Sequence, residues 1–161
     1  MAFDRIDRQI MALLQDDGRM TNVELAERVG LTAPPCLRRV RALEEAGAIR
    51  GYHAALDPAQ LGYTITVFAM VSLRSQAEAD LAAFEQHVAG LPEVRECFML
   101  SGEIDFILKI VAPDLARFQE MLSTRLTTAP NVASVKTSLT MRISKQLAGI
   151  PVQHEALAHE G

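Results

Sequence analysis

The spacing of the apolar residues changes at residues 56–64, and this change constrains the fold more than any other feature of the chain. Before it, apolar side chains recur every three or four positions, as in a helix that buries one side. After it, residues 65–73 alternate between two faces, as in a half-buried strand. Asp57-Pro58 and Gly62 between the two patterns are turn residues. The sequence therefore predicts an α+β chain whose first domain is helical and whose second contains strands.

The first 50 residues contain three helical patterns, each preceded by a residue that caps helices well. Asp4 is the expected N-cap of the first helix. Thr21 and Glu24 form the S/T-x-x-E capping box of the second helix, and Thr32 begins the third. Only a short turn at Gly30 separates the second helix from the third. This arrangement is typical of a helix-turn-helix, in which the second helix of the pair is presented outward.

The outward helix, in the stretch "TAPPCLRRVRALEEAG", concentrates arginine. Leu37, Val40 and Leu43 recur at helical spacing and are assigned to the core, which turns the arginines outward. Its two prolines fit a first turn, where backbone N–H groups have no helical partner. A DNA major groove accepts a helix with its N-terminal side chains at the base edges. The predicted DNA contacts are Thr32, Pro34, Pro35, Cys36, Arg38, Arg39 and Arg41.

Simpler interpretations of the same helix stay open. An ordinary solvated helix face also contains arginines, and Arg41 would then pair with Glu44 or Glu45. Cys36 is either a small residue that allows close approach to DNA or a redox-sensitive thiol near a helix N-terminus.

Residues 48–56 alternate loosely around Gly51 and predict a small β-wing beside the helix.

Charge is distributed unevenly along the chain. The formal net charge is −4. The first 50 residues contain eight arginines and eight acidic residues, so the negative charge belongs to the remainder. A local basic surface attracts phosphates even when the whole chain is acidic.

The second domain is built from two similar halves. "DLAAF" at 80–84 corresponds to "DLARF" at 114–118, and "PEV" at 92–94 corresponds to "PNV" at 130–132. The predicted order is β-α-β-β-α-β, the ferredoxin-like arrangement, with the last strand running from Val132 to about Ile143. The helix stripes include Leu81 and Phe84 in the first half and Leu115 and Phe118 in the second.

One sheet face of this domain is left without a helix. It contains Phe68 and Met70 among polar residues, and a half-apolar open face requires a cover. A second copy of the chain is the simplest cover, so Phe68 and Met70 are predicted to lie at a dimer interface. A dimer also suits DNA, because paired helices read paired half-sites.

Other classes of protein fit the sequence poorly. No apolar run approaches the ~20 residues that cross a bilayer, and the N-terminus lacks the apolar segment of a signal peptide. Two cysteines do not make a disulfide framework, and isolated histidines do not make a metal site. We expect a cytoplasmic, nucleoid-associated protein without membrane contact, metal or cofactor.

Three stretches carry a resemblance to a known family: "ELAERVGLT", "PPCLRRVRALEEAGAIRGY" and "SGEIDFILKI". They resemble the Lrp/AsnC family of bacterial and archaeal regulators, from about Asp4 to Lys145. The resemblance implies a winged helix-turn-helix at 1–50 and a wing and hinge at 51–62. It further implies a RAM domain, similar to ACT domains, at 63–145, followed by a tail at 146–161. Family members dimerise through this domain, often assemble into octamers, and bind small effectors between subunits.

The family's glycine-led turn maps onto residues 102–105, with Ile104 where an aromatic residue is common. A glycine allows backbone N–H groups to approach a ligand carboxylate, and a nearby carboxylate pairs with an ammonium group. The alternative is a plain hairpin corner that an aspartate caps. The candidate effector-binding residues are Ser101, Gly102, Glu103, Asp105, Thr137 and Ser138.

Three functions are compatible with this fold. The favoured one is a DNA-binding transcription regulator that responds to a small effector, an amino acid by resemblance, and is not an enzyme. An architectural protein that organises DNA without an effector differs only in the ligand response. A siroheme-decarboxylase-like enzyme shares the fold but would need basic and histidine residues clustered in the second domain, which the sequence lacks.

Overall fold

The computed structural model describes residues 3–147 and 149–152, which form two separate units. The first unit contains residues up to 55 and, from the end of the chain, residues 145–152 apart from 148. The second unit spans residues 56–144. The boundary therefore falls inside the predicted 51–62 hinge. The described part of the predicted tail belongs to the first unit, and residues 148 and 153–161 lie outside the described residues.

Three helices build the first unit: α1 (Arg5–Asp16), α2 (Asn22–Val29) and α3 (Ala33–Glu45). Asp4 and Thr21 cap α1 and α2, and each forms a reciprocal capping box with the acidic residue three positions later. These boxes satisfy backbone N–H groups that have no partner within the helix. The predicted caps at Asp4 and Thr21 and the order of the three helices are confirmed.

The first turn of α3 is unusual because the N-cap side chain finds no backbone N–H from which to accept a hydrogen bond. Thr32 occupies the N-cap position, but its hydroxyl makes no capping hydrogen bond. An N-cap side chain normally accepts from the second or third N–H of the helix. Pro34 and Pro35 occupy those two positions, and proline has no N–H. The hydroxyl of Thr32 is therefore free to bind a partner outside the helix.

The core of the first unit corrects the predicted inner face of α3. Cys36 is fully buried and packs with Ile10, Leu25 and Leu43. Leu37, which was predicted to be a core residue, is instead 37% exposed. The inner face of α3 therefore starts one residue earlier than predicted, because Cys36 and Leu43 are seven positions apart and share a side over two turns.

Residues 48–56, where the sequence predicts a small β-wing, contain no strand. The segment is anchored to the helices instead. The hydroxyl of Tyr52 donates to Glu44 over 2.9 Å. The ring of Tyr52 lies so close to Gly18 that a Cβ there would approach it to 3.3 Å. Burial and the Glu44 carboxylate raise the pKa of Tyr52 to about 12.

Residues 149–152 belong to the first unit, and Ile150 binds α1. The side-chain amide of Gln15 donates to the carbonyl of Ile150 over 2.8 Å and accepts from its N–H over 3.0 Å. Gly149 beside it has a φ of +73° and lies against the Gln15 side chain, so that a Cβ would clash. A residue without a side chain is therefore needed at this position.

The second unit is a four-stranded antiparallel sheet in which Val94–Met99 (β2), Phe106–Ala112 (β3), Ile65–Leu73 (β1) and Val132–Leu139 (β4) lie side by side in that order. This confirms the predicted β-α-β-β-α-β order. The last strand ends four residues before the predicted Ile143. The α-helices of the unit are α4 (Glu78–Ala89) and α5 (Leu115–Met121). A short π-helix at Leu122–Leu126 continues α5.

Helices cover one face of the sheet, as the single apolar stripe of each helix predicts. Phe84 of α4 and Phe106 of β3 are fully buried and pack with ring centroids 4.7 Å apart at 42°. Phe118 is buried as predicted, but Leu115 is 53% exposed. Leu115 is the first residue of α5, where the stripe has not yet turned toward the sheet.

The opposite face of the sheet is half apolar. Phe68 pairs with Lys109 on one side and Ser138 on the other, and Met70 pairs with Ile107 and Lys136. Directly paired residues lie on the same face. Phe68 is 37% exposed and Phe98 of the neighbouring edge strand is 53% exposed. Both side chains are therefore exposed to solvent in the single chain.

Candidate DNA interface and effector site

The exposed side of α3 presents two unpaired arginines. Arg38 and Arg41 are exposed and three positions apart, so they share a face of the helix. Within residues 3–147 and 149–152, neither has a carboxylate at ion-pair distance. The alternative pairing of Arg41 with Glu44 or Glu45 is therefore not formed.

Apolar groups lie beside these arginines. Pro34 precedes Arg38 by four positions and Leu37 precedes Arg41 by four, so each lies one turn away on the same side. Pro34 and Leu37 are both exposed. An exposed leucine next to arginines was missed by the sequence reasoning, because its spacing also fits the core. Such a surface can offer charge to phosphates and apolar contact to a thymine methyl group.

Arg39 differs from its neighbours because two carboxylates of α1 already hold it. One terminal nitrogen of its guanidinium lies 2.8 Å from Asp4 Oδ2 and 2.7 Å from Asp7 Oδ1. The hydrogen bonds that Arg39 donates to these two carboxylates raise its pKa, and the bond to Asp7 contributes most. The sequence predicted a groove-facing arginine, whereas the structure shows one bound within the protein.

Cys36 is a correction to the predicted DNA contacts. Its side chain has no exposed surface, so it cannot approach DNA directly. Burial raises the pKa of its thiol above the usual value, which is opposite to the shift expected of a reactive thiolate. Cys36 is therefore a core residue of the first unit, and neither interpretation offered by the sequence applies.

Local hydrogen bonds fix the turn between α2 and α3. Gly30 ends α2 in the left-handed conformation, and the N–H of Leu31 donates to the carbonyl of Ala26 over 2.8 Å. The side-chain amide of Asn22 donates to the carbonyl of Ala33 over 2.9 Å, linking the first turns of the two helices. The turn therefore holds the start of α3 against α2.

The predicted effector turn is an exposed corner between β2 and β3. Ser101, Gly102 and Glu103 are exposed, and a Cβ at Gly102 would meet no atom within 4 Å. The φ of Gly102 is +155°, which residues other than glycine rarely adopt. The N–H of Leu100 donates to the carbonyl of Asp105 and closes the corner. The backbone here is accessible from outside.

The carboxylate of Asp105 has a partner within the protein. Its Oδ2 accepts the N–H of Leu73, at the end of β1, over 2.6 Å. The N–H of Asp105 donates to the carbonyl of Val71 over 3.0 Å. Asp105 therefore ties the corner to the neighbouring strand, as the capping alternative expects. The other carboxylate oxygen makes no hydrogen bond to the described residues.

Thr137 and Ser138 are separated by the pleat of β4. Thr137 pairs with buried Ala69, and Ser138 pairs with exposed Phe68. Successive side chains of a strand point to opposite faces. The two candidate hydroxyls therefore point to opposite faces of the sheet. Ser138 is the one on the open sheet face.

Two grooves of the second unit were not anticipated from the sequence. One of about 350 Å³ lies between α4 and β2 and includes Glu85, Val88 and Cys97. Burial and Glu85 raise the pKa of the Cys97 thiol to about 11. Another of about 360 Å³ lies between α5 and Tyr63. The 101–105 corner lines neither groove.

The first unit is a helix-turn-helix, and the second is a ferredoxin-like antiparallel sheet with two helices on one face. Comparison with known proteins agrees. Residues 3–50 match a family described as winged helix-turn-helix DNA-binding, and residues 66–150 match the Lrp/AsnC ligand binding domain. The chain belongs to the Lrp/AsnC family of transcriptional regulators. No helix among the described residues is long and apolar enough to cross a membrane.

Named relatives cover most of the chain. The leucine-responsive regulatory protein of Rhizobium meliloti is 54% identical over 149 residues, which are 92% of this chain and 96% of the relative. The bkd operon transcriptional regulator of Pseudomonas aeruginosa is 43% identical, over 86% of this chain and 91% of the relative. These relatives are named as regulators rather than enzymes.

Solved structures agree over nearly the full length. A Neisseria meningitidis transcriptional regulator, crystallised as a complex with L-methionine, has a TM-score of 0.90 and is 36% identical. The similarity covers 95% of this chain and 99% of that protein. An AsnC family regulator from Agrobacterium tumefaciens has a TM-score of 0.88 at 32% identity, covering 96% of this chain and all of that protein.

Proposed function

We propose that this regulator binds double-stranded DNA through the exposed face of α3, and that an amino acid bound to the second unit changes this binding. The observation that carries the proposal is that Arg38 and Arg41, on the presented helix of a helix-turn-helix, have no carboxylate partner among the described residues. Pro34 and the free hydroxyl of Thr32 extend the same surface toward the helix start. Because it acts on DNA, we place the protein in the cytoplasm with the nucleoid.

The DNA contacts are tested by titrating labelled duplex DNA and following fluorescence anisotropy. Arg38→Ala should weaken binding to a preferred duplex by about 1 to 3 kcal/mol if the guanidinium reads a base edge. If it contacts only phosphate, binding to every duplex weakens and the salt slope falls by about one unit. Arg95→Ala, an exposed arginine of the second unit, is the control and should change neither quantity. Unchanged affinity and slope in both Arg38→Ala and Arg41→Ala would exclude this face.

An amino acid is the effector class that the relatives support. The Neisseria meningitidis neighbour was crystallised with L-methionine, and the matched domain is described as ligand binding. The backbone at Gly102 is open to a ligand carboxylate, and one oxygen of Asp105 is available to an ammonium group. A ligand that bridges subunits favours one assembly over another, which is how it would change DNA binding.

The effector proposal is tested with the twenty amino acids. Each is added to the full chain, binding is measured by calorimetry, and DNA affinity is measured with and without it. We expect at least one amino acid to bind and to shift DNA affinity. If none binds while DNA binding persists, the architectural function replaces the regulatory one for this chain.

We further propose that the open sheet face containing Phe68 and Met70 is covered by a second copy of the chain. Its exposed apolar groups lie around one ion pair, in which Lys109 contacts Glu96 at 2.6 Å. Light scattering of the full chain should show a dimer or a multiple of it, such as an octamer. Phe68→Asp should lower the molar mass, whereas Leu115→Asp, exposed on α5, should not. A monomeric wild-type chain would overturn the proposal.

A further inference from the structure

Arg39 joins the middle of α3 to the start of α1 through a closed set of hydrogen bonds. Asp4 uses Oδ1 to accept the N–H of Asp7 and Oδ2 to bind Arg39. Asp7 uses Oδ2 to accept the N–H of Asp4 and Oδ1 to bind Arg39. All four carboxylate oxygens therefore have a partner. The same two carboxylates therefore form the capping box of α1 and bind the arginine of α3.

The surroundings separate Arg39 from the arginines on either side. Arg38 and Arg41 are exposed and unpaired among the described residues, whereas the side chain of Arg39 is 34% exposed and that of Asp7 is 18% exposed. A guanidinium between two carboxylates makes charge-assisted hydrogen bonds. Moving it to a DNA phosphate would leave two acidic side chains beside each other without a cation. The local cost opposes such a move.

We propose that Arg39 is a positioning residue, which fixes α3 against the capping box of α1 so that Arg38 and Arg41 meet DNA in register, and which does not itself contact DNA. The proposal rests on the proposed DNA binding through α3. The core contacts of α3 are apolar and therefore non-directional, whereas the two hydrogen bonds that Arg39 donates are directional. Specific binding depends on the orientation of α3 more than non-specific binding does.

The role of Asp7 gives the proposal its clearest test, because two explanations differ in sign. If Asp7 is only a negative charge near DNA, its removal strengthens binding to all duplexes. If Asp7 acts through Arg39, its removal weakens binding to the preferred duplex. Asp16→Ala is the matched control, since Asp16 is an exposed acid of the same helix with no contact to Arg39.

The experiment uses the full chain and a duplex enriched from a random-sequence pool, with a scrambled duplex for comparison. Affinity is measured by fluorescence anisotropy at several salt concentrations. We expect Arg39→Ala and Asp7→Ala each to weaken specific binding about tenfold, and the double variant to be no weaker than either single one. Scrambled-duplex affinity and salt slope should stay at the wild-type values. Asp16→Ala should not weaken binding.

The proposal would be overturned by a salt slope about one unit lower in Arg39→Ala, by equal loss on both duplexes, or by tighter binding of Asp7→Ala. Arg39→Lys, which cannot span both acids in the same way, should fall between wild type and alanine, and it replaces Arg39→Ala if that variant does not fold. Loss of binding in Arg38→Ala with no effect of Arg39→Ala would reject the positioning role alone. Wild-type chain that binds neither duplex would reject DNA binding through α3 itself.

Discussion

The carboxylate of Asp105 has two separable roles: it accepts a hydrogen bond within the fold, and its charge is proposed to pair with an effector's ammonium group. Substitutions of Asp105 can distinguish these two roles. In Asp105→Ala the N–H of Leu73 loses the acceptor that lies 2.6 Å away. Leu73 is only 5% exposed, so water does not readily replace the carboxylate. An unsatisfied buried donor costs about 1 to 3 kcal/mol. We expect the free energy of unfolding of the second unit to fall by about that amount.

Asp105→Asn separates the hydrogen bond from the charge. The amide oxygen can still accept the N–H of Leu73, so the loss of stability should stay below about 1 kcal/mol. The negative charge that would pair with an effector's ammonium group is removed in both variants. If the effector binds at this corner, Asp105→Asn should therefore lose ligand affinity while the fold is largely preserved.

Urea unfolding followed by circular dichroism measures the first effect, and calorimetry with the effector measures the second. With an m-value of about 1.5 kcal/mol/M, a loss of 1.5 kcal/mol lowers the urea midpoint by about 1 M. Asp105→Ala with an unchanged midpoint would refute the structural role of the carboxylate. Full effector affinity in Asp105→Asn would place the ammonium site elsewhere, even if the stability prediction holds.

Two further predictions concern stability. Phe84→Ala should lower the free energy of unfolding by about 3 to 5 kcal/mol in urea titrations, because the ring is fully buried, whereas Leu115→Ala at an exposed position should cost less than about 0.5 kcal/mol. The N–H of Asp7 and the Arg39 guanidinium hold the pKa of Asp4 below 3.8 in the folded chain. Ionised Asp4 therefore stabilises the folded chain fully above the unfolded-state pKa, and this stabilisation is lost as pH falls through the lower folded-state pKa. Asp4→Asn should accordingly flatten the decrease in urea midpoint below about pH 4.

Features set by neighbouring residues were predicted well from the sequence. The N-cap at Asp4 and the capping box of Thr21 and Glu24 depend on residues close together in sequence, and the order of strands and helices follows from periodicity. The inner face of α3 was less certain, because Cys36 and Leu37 both fit a stripe with Val40 and Leu43. In the structure the smaller residue, Cys36, is buried, because it packs with Ile10 where α3 meets α1.

Features set by contacts between distant residues were not predictable. Arg39 lies 35 positions from Asp4 and 32 from Asp7, and nothing in the local sequence of α3 announces that pairing. The bond between Asp105 and Leu73 spans 32 positions in the same way. Thr137 and Ser138 are a different case, since the alternation of a strand already implied that they point to opposite faces.

The bond between Gln15 and Ile150 changes how the chain is best divided. Because the polypeptide leaves the first unit near residue 55 and re-enters it near 145, the second unit has the topology of an insertion within a discontinuous domain. A truncation after residue 144 would therefore remove part of the DNA-binding half, although the cut lies far from α3 in sequence. The helix-turn-helix is also attached at two points, so a rearrangement in the second unit can act on it through both covalent connections.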